Sequence, residues 1–365
     1  MTQTTSFLQD VAEVTGIAAS GGTGKLTLPA NLYPAKSRIA LIGTVGAGKS
    51  TVVGATGITA ETLVKETEHT DHPFFCQVLE GGSEIHQDKS DLRNGHFPRK
   101  TTAYTGFASE AGLLLEWEKR YGPVTAWHKY LQVPICDLAG EDIQQTIRQV
   151  VQKRDIGAVS KQKVANLIGY MRESDGFIIC LKGTRAQGFK KQLETEKDKN
   201  LSQDPDVNMV RLLQDLVYYK MTNQIKPIRG MAIIVTASDI LQREIGDDMG
   251  FDITTHYNKV TQAQQYQRQQ QDLLDFVSSC FPATYAAIRS LRVPNVQFFP
   301  SYFELETDAY GKIEYWPDEP DSPKIQTLKP AAFSEDWRHQ LRKIKYSEAW
   351  YIDLIEWLRN FAASA

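Results

Sequence analysis

No run of apolar residues in this 365-residue sequence approaches the roughly 18 that a bilayer-spanning helix needs. The N-terminus lacks a basic stretch followed by an apolar core, so the chain reads as neither secreted nor membrane-spanning. Cysteine is scarce: there are four, Cys76, Cys136, Cys180 and Cys280, and they lie far apart. That spacing shows neither a disulfide framework nor a C-x-x-C metal site and fits a reducing compartment, the cytoplasm. The seven histidines carry no metal-ligand spacing such as H-E-x-x-H, and the pair His69 and His72 reads as solvated loop. Positive charge is not in excess either. Lys and Arg number 41 against 44 Asp and Glu, a net charge of −3, which gives no electrostatic footprint for nucleic acid.

What the chain does have is 41% hydrophobic and 23% charged residues, an ordinary globular balance able to bury a sizeable core. Its strongest local signal is Arg38 to Thr51, RIALIGTVGAGKST. Ile39 to Ile42 is apolar enough for a buried strand, and Gly43-Thr44-Val45-Gly46-Ala47-Gly48-Lys49-Ser50 then fits the phosphate-loop spacing G-x-x-x-x-G-K-[ST]. The chemistry explains the residue types. Gly43, Gly46 and Gly48, with the small Ala47, let the backbone turn its N–H groups onto one anion, and the helix beginning near Lys49 adds its positive end. Lys49 supplies a point charge to the β- and γ-phosphates, and Ser50 a hydroxyl to Mg²⁺. Val45 and Thr51 complete the cradle. A second glycine-rich stretch, Gly21 to Lys25, imitates this loop but lacks the first glycine, the Ser or Thr after the lysine, and a preceding strand. It reads as linker.

Further along, residues 61 to 98 are polar with apolar anchors at Phe75, Val78, Ile85 and Leu92, and read as an inserted helical region ending at Gly95-His96-Phe97-Pro98. Leu113 to Leu115, the Gly122-Pro123 turn and the alternation of Leu131, Val133 and Ile135 read as an antiparallel hairpin, with Pro134 counting against a ladder at its end. Buried strands follow at Gly176 to Leu181, Met231 to Thr236 and Val296 to Phe299, separated by helical segments. The glutamine-rich residues 262 to 271 belong to an exposed helix. Asp308 to Gly311 has hairpin-turn chemistry, and the proline-rich stretch 317 to 330 reads as a loop that a core would not use. Trp350, Leu354, Trp357, Leu358 and Phe361 share one side of a final helix that packs on its own domain.

Strands alternating with helices indicate an α/β fold: a mainly parallel sheet with one antiparallel strand, helices on both faces and large helical insertions, with ligands at the carboxyl ends of the strands. The expected layout is an N-terminal helix and linker over 1–37, a P-loop domain over 38–305 with insertions at about 61–98 and 186–225, and a C-terminal hairpin, proline-rich loop and amphipathic helix over 306–365.

The order of signals narrows the class. Strand, phosphate loop, Thr101, hairpin, Asp137-x-x-Gly140, two strands, Thr236-x-x-Asp239, strand and Ser301 occur in that sequence, each near a strand end. In this order the chain resembles P-loop GTPases of the Ras-like and translation-factor class, and more closely the bacterial double-GTPase (DO-GTPase) domains, over roughly residues 38 to 301. The resemblance implies GTP or GDP with Mg²⁺ as ligands. Asp137 would hold Mg²⁺ through water, Thr101, with Thr102 as the alternative, would complete the metal shell, and the Gly140 N–H would meet the γ-phosphate. Asp239 would read the guanine edge, with Thr236 and Ser301 beside it. The same resemblance implies protein partners in a multi-component bacterial system, with membrane association only through a partner.

Three departures bear on activity. Thr236 and Ala237 replace the usual asparagine and lysine of the guanine-reading motif, which removes a stem that packs against the base. Glu141 stands where a water-positioning glutamine is usual, so hydrolysis should be slow. Ser301 lacks the alanine that normally follows. Arg99, two residues before Thr101, is a candidate cis arginine finger, set against a solvated arginine beside Lys100. Two other functions stay open: a non-hydrolysing nucleotide-bound scaffold, and an ATP-hydrolysing P-loop ATPase, against which stand the missing LSGGQ signature and Leu138 after Asp137.

Overall fold

Four short, largely apolar runs make the central sheet, and they do so because nearly all of their residues are buried between two cores, one on each face. The computed structural model describes residues 39–44, 46–78, 83–98, the strands 113–121 and 124–133, residues 174–183, 206, 209–210, 213–214, 227–243, 250, 252–328 and 343–363. All of them belong to one unit, Ala35–Ala365. The sheet is β1 (Ile39–Gly43), β5 (Gly176–Lys182), β6 (Gly230–Thr236) and β7 (Val296–Ser301), in the order β1-β5-β6-β7 and parallel throughout. Strand side chains alternate between faces. Ile39, Leu41, Ile178, Cys180, Ala232, Ile234 and Phe299 therefore join one core, whereas Ala40, Ile42, Phe177, Ile179, Met231, Ile233 and Phe298 join the other.

The first core is closed by α1 (Lys49–Thr67), α2 (Ser83–Arg93) and the C-terminal helix α6 (Glu348–Ala363). The second is closed by α4 (Ala263–Cys280) and α5 (Pro282–Leu291) through Leu273, Phe276, Val277, Ile288 and Leu291. Helix α1 is buried from Val52 to Ala60, so it shows no clear apolar stripe. Its passage past α2 depends on a missing side chain: a Cβ on Gly54 would stand 2.8 Å from Leu92 Cδ1. Trp350, Tyr351, Leu354, Trp357, Leu358 and Phe361 of α6 are all buried. The Phe361 ring fills space over β5 and β6, where a Cβ on Gly176 or Gly230 would stand 2.7 or 2.9 Å from it. Tyr351 bonds back to β7, its hydroxyl 2.6 Å from Ser301 Oγ.

Two expectations need correction. Among the described residues the antiparallel part is not one strand added to the parallel sheet. β2 (Phe74–Val78), β3 (Leu113–Tyr121) and β4 (Val124–Val133) form their own three-stranded antiparallel sheet. The segment 61–98 therefore contains a strand between its helices, because Phe74–Val78 finds its ladder partner in β3, far away in sequence. Pro134 falls just after the last ladder residue, Val133.

The proline-rich stretch is likewise more than loop. β8 (Tyr315–Trp316) pairs with β9 (Glu319–Pro323), and β10 (Thr327–Leu328) pairs with β11 (Lys343–Ile344). Ile325 between them is 1% exposed and lies in the first core. Two-stranded ladders leave outward-facing positions where Pro320 and Pro323 cost no hydrogen bond. The turn at Asp308 is a hairpin: Thr307 bridges Ile313, Asp308 N–H donates to Lys312 O at 2.9 Å, and Gly311 has φ 78°.

Among the described residues no helix is long and apolar enough to cross a membrane. The expected N-terminal segment 1–37 lies outside the described residues, as does the expected insertion at about 186–225 apart from residues 206, 209–210 and 213–214.

Candidate nucleotide-phosphate site

Parallel strands in register deliver their carboxyl ends to one place. Gly43 of β1 stands beside Cys180 of β5, Lys182 of β5 beside Thr236 of β6, and Thr236 beside Ser301 of β7. The phosphate loop, Thr236 to Asp239 and Ser301 thus converge at one end of the sheet. The loop has the backbone that its glycines allow. Gly46 and Gly48 have φ of 70° and 78°, in the left-handed region, and Gly48 is the N-cap of α1. Ala47 N–H donates to Thr44 O at 3.1 Å, and Val52 N–H to Gly48 O at 2.9 Å, so the loop runs directly into the helix.

Lys49 is 7% exposed, and its ammonium donates to the carbonyls of Gly43 at 3.2 Å and Thr44 at 3.5 Å. A buried ammonium folded over its own loop carbonyls is a charge that an anion on the loop could draw on. Ser50 and Thr51 occupy the first turn of α1 and are half-buried.

Thr236 does something that its spacing did not show. Its side chain is 8% exposed, and its hydroxyl lies 3.1 Å from Ala47 O and 3.3 Å from Leu181 O. Its methyl group packs against Gly48, where a Cβ would stand 3.2 Å from Thr236 Cγ2. Thr236 is therefore a latch between β6 and the phosphate loop. Ala237 follows in the left-handed region, with φ 55° and ψ 40°, and caps the short helix α3 (Ser238–Leu241). Ser238 ties β6 to β7: its hydroxyl donates to Val235 O at 2.6 Å and accepts from Ser301 N–H at 2.9 Å.

Asp239 sits in the first turn of α3, with Arg243 Nη2 3.4 Å from its carboxylate. Burial raises its carboxyl above the ordinary Asp value, against the lowering by the Ile240 N–H and the Arg243 charge. Ser301 is 3% exposed and its hydroxyl is engaged with Tyr351, so it meets its surroundings as a strand-end backbone position.

The structure thus brings together Gly43, Gly46, Ala47, Gly48, Lys49, Ser50, Thr51, Thr236, Asp239 and Ser301. Val45, Arg99, Thr101, Thr102, Asp137, Gly140 and Glu141 lie outside the described residues. The described chain leading to Arg99 is anchored: His96 stacks on Trp316 at 3.8 Å, and Gly95 O accepts from Trp316 Nε1 at 3.2 Å and from Ile325 N–H at 2.9 Å. Among the described residues no cluster of three or more His, Cys, Asp and Glu side chains forms a metal cage.

A cavity of about 350 Å³ opens elsewhere, between α1, α2 and β2, lined by Gly57, Glu61, Cys76, His86, Lys89 and Leu113. It holds no activated group. Burial pushes the Cys76 thiol up to about 12, the wrong direction for a nucleophile, and Lys89 is spent on Glu61 at 2.5 Å. Burial pushes the Glu61 carboxyl up, but hydrogen bonds from Lys89 and Arg93 outweigh it and hold the group below its ordinary value.

A buried strand, left-handed loop glycines, a buried lysine and a helix starting at the loop define a P-loop NTPase fold on a parallel α/β sheet. No protein-family model and no curated protein matches the sequence. Among solved structures the chain is similar to the S. cerevisiae Ski7 GTPase-like domain bound to GTP, at 11% identity and a TM-score of 0.28, covering 79% of this chain and 48% of that one. It is also similar to Sup35 complexed with GDP, at 11% identity and a TM-score of 0.27, covering 81% of this chain and 46% of that one. The chain spans about half the length of each. Both likenesses are distant, and the phosphate site stands on its own geometry.

Proposed function

We propose that this protein is a GTP-binding molecular switch that hydrolyses GTP slowly with Mg²⁺ and signals to protein partners. The observation that carries the proposal is the junction of two motifs: the segment that ends in Asp239 is fastened by Thr236 to the loop that holds Lys49. A carboxylate fixed to the phosphate cradle in this way can accept from guanine N1–H and the exocyclic amine while the phosphates sit on the loop. Adenine cannot return that pair of hydrogen bonds.

In this reading the backbone N–H groups of Gly46 to Ser50 bind the α- and β-phosphates, and Lys49 turns from its loop carbonyls to the β- and γ-phosphates. The cradle fits such a group, since both left-handed glycines and the buried ammonium are in place. Ser50, Thr101 and Asp137 would hold Mg²⁺, which neutralises charge on the phosphates. Gly140 would follow the γ-phosphate and Ser301 would back the base through its strand-end position. Glu141 in place of a water-positioning amide predicts slow turnover, and Arg99 would supply transition-state charge. A cytoplasmic bacterial setting with partner proteins belongs to the same reading.

The test is a titration of the purified chain with fluorescent GTP and ATP, followed by single-turnover hydrolysis with Mg²⁺. GTP binding on the order of a hundredfold tighter than ATP supports the proposal. Equal affinity removes the guanine role of Asp239. Binding without measurable hydrolysis replaces the switch by a nucleotide-bound scaffold.

A further inference from the structure

We propose that Lys182 is a second nucleotide-binding cation of this site, brought by β5 to the phosphate loop beside Gly46. The inference rests on the reading that the loop takes a nucleoside di- or triphosphate, whichever the base.

The sheet sets the direction. Ile178 and Cys180 of β5 face the core that contains α1, and period-two alternation puts Lys182 on that same face. Its in-register neighbour is Thr236, whose side chain reaches the loop on that face. The Lys182 ammonium accordingly lies 3.9 Å from where a Cβ on Gly46 would stand. Gly46 is an exposed left-handed residue of the loop, and two lysines reach the loop: Lys49, buried on the Gly43 and Thr44 carbonyls, and Lys182, exposed beside Gly46.

The charge of Lys182 has no other use in the described structure. No carboxylate among the described residues pairs with it. An exposed ammonium held close to an anion cradle, with no carboxylate partner among the described residues, is matched to phosphate oxygen. The neighbouring strand end explains why it is needed. Position 237, which follows Thr236, carries only a methyl group and a left-handed backbone, so it brings no charge to the loop. The four-carbon stem of Lys182 starts one strand away, beside Thr236, and ends at the loop. It places its charge beside Gly46.

The experiment uses the full chain and three substitutions: Lys182→Ala, Lys182→Met, which keeps a stem without the charge, and Lys182→Arg. Fluorescent GTP, GDP and ATP are titrated at low and at raised salt. The expected result is an affinity loss of about tenfold for the alanine and methionine variants, with the arginine variant close to wild type and a weaker salt dependence in the first two. Since Lys182 is exposed, the melting temperature of the nucleotide-free variants should match wild type, and only the nucleotide-induced rise should shrink. Alanine and methionine variants that bind within about twofold of wild type overturn the inference while leaving the nucleotide reading intact. A methionine variant that binds like wild type while alanine does not also overturns it, since the stem alone would then act. A wild-type chain that binds none of the three nucleotides overturns both.

Discussion

The hydroxyl of Thr236, at the end of β6, lies 3.1 Å from the carbonyl oxygen of Ala47 inside the phosphate loop. Two segments nearly two hundred positions apart in sequence are joined by that bond and by the packing of the Thr236 methyl group against Gly48. The bond thus fastens to the loop the segment that carries Asp239 three residues further on.

Replacing Thr236 by valine tests the latch. Valine keeps the methyl group against Gly48 but leaves the Ala47 carbonyl without its partner, at a cost of about 1 kcal/mol by the usual worth of such a bond. Urea unfolding should register that loss, and nucleotide affinity should fall by about tenfold as the loop loosens. A variant with lowered stability but unchanged affinity would show that the loop is ordered by its ligand rather than by β6.

Gly48→Ala should be more severe. The φ of 78° costs an L-residue about 1–2 kcal/mol, and the new Cβ would stand 3.2 Å from Thr236 Cγ2. Loss of nucleotide binding is the expected result in a titration. Because part of the penalty is the contact with Thr236, it should be smaller when measured in a Thr236→Ala background. Strictly additive effects would place the whole penalty in the backbone.

How far the sequence led can be seen at particular residues. The loop and the strands at 176, 231 and 296 were legible because glycine spacing and short apolar runs are local signals, set by backbone sterics and burial. Phe74–Val78 was not, because a five-residue strand with polar flanks is defined only by its distant partner β3. Ile325 was hidden among prolines for the same reason: its burial comes from Gly95 and the neighbouring ladders, all non-local. Thr236 was visible as a departure from a motif, yet its bond to Ala47 required the folded sheet. Lys182 gave no signal at all, since its position depends on register with Thr236 and on which face of β5 meets α1.

Helix α6 is an integral part of the domain by its burial, and its removal should be costly. Trp357→Ala empties a site that is 2% exposed and should destabilise by about 3–5 kcal/mol in denaturant unfolding. Tyr351→Phe keeps the ring and removes the hydroxyl that meets Ser301 Oγ, at about 1 kcal/mol. If α6 were a detachable docking segment, Trp357→Ala would leave the midpoint unchanged.

Asp239 makes the proposed guanine site sensitive to pH in a stated direction. Burial raises its carboxyl above the ordinary Asp value of about 4, so the folded chain holds that proton at a pH where the unfolded chain has released it. The neutral form stabilises the fold, and that contribution is complete below the unfolded value and lost as pH rises through the folded one. Guanine binding has the opposite requirement, because only the ionised carboxylate accepts from N1–H and the amine. The preference for GTP over ATP should therefore collapse as pH falls through the raised Asp239 value, while the affinity for ATP changes little. Asp239→Asn should flatten that pH profile and abolish the preference at every pH. It should also remove, between the unfolded and folded values, the decline in stability of the nucleotide-free protein. A GTP preference that persists in Asp239→Asn would place base recognition elsewhere in the site.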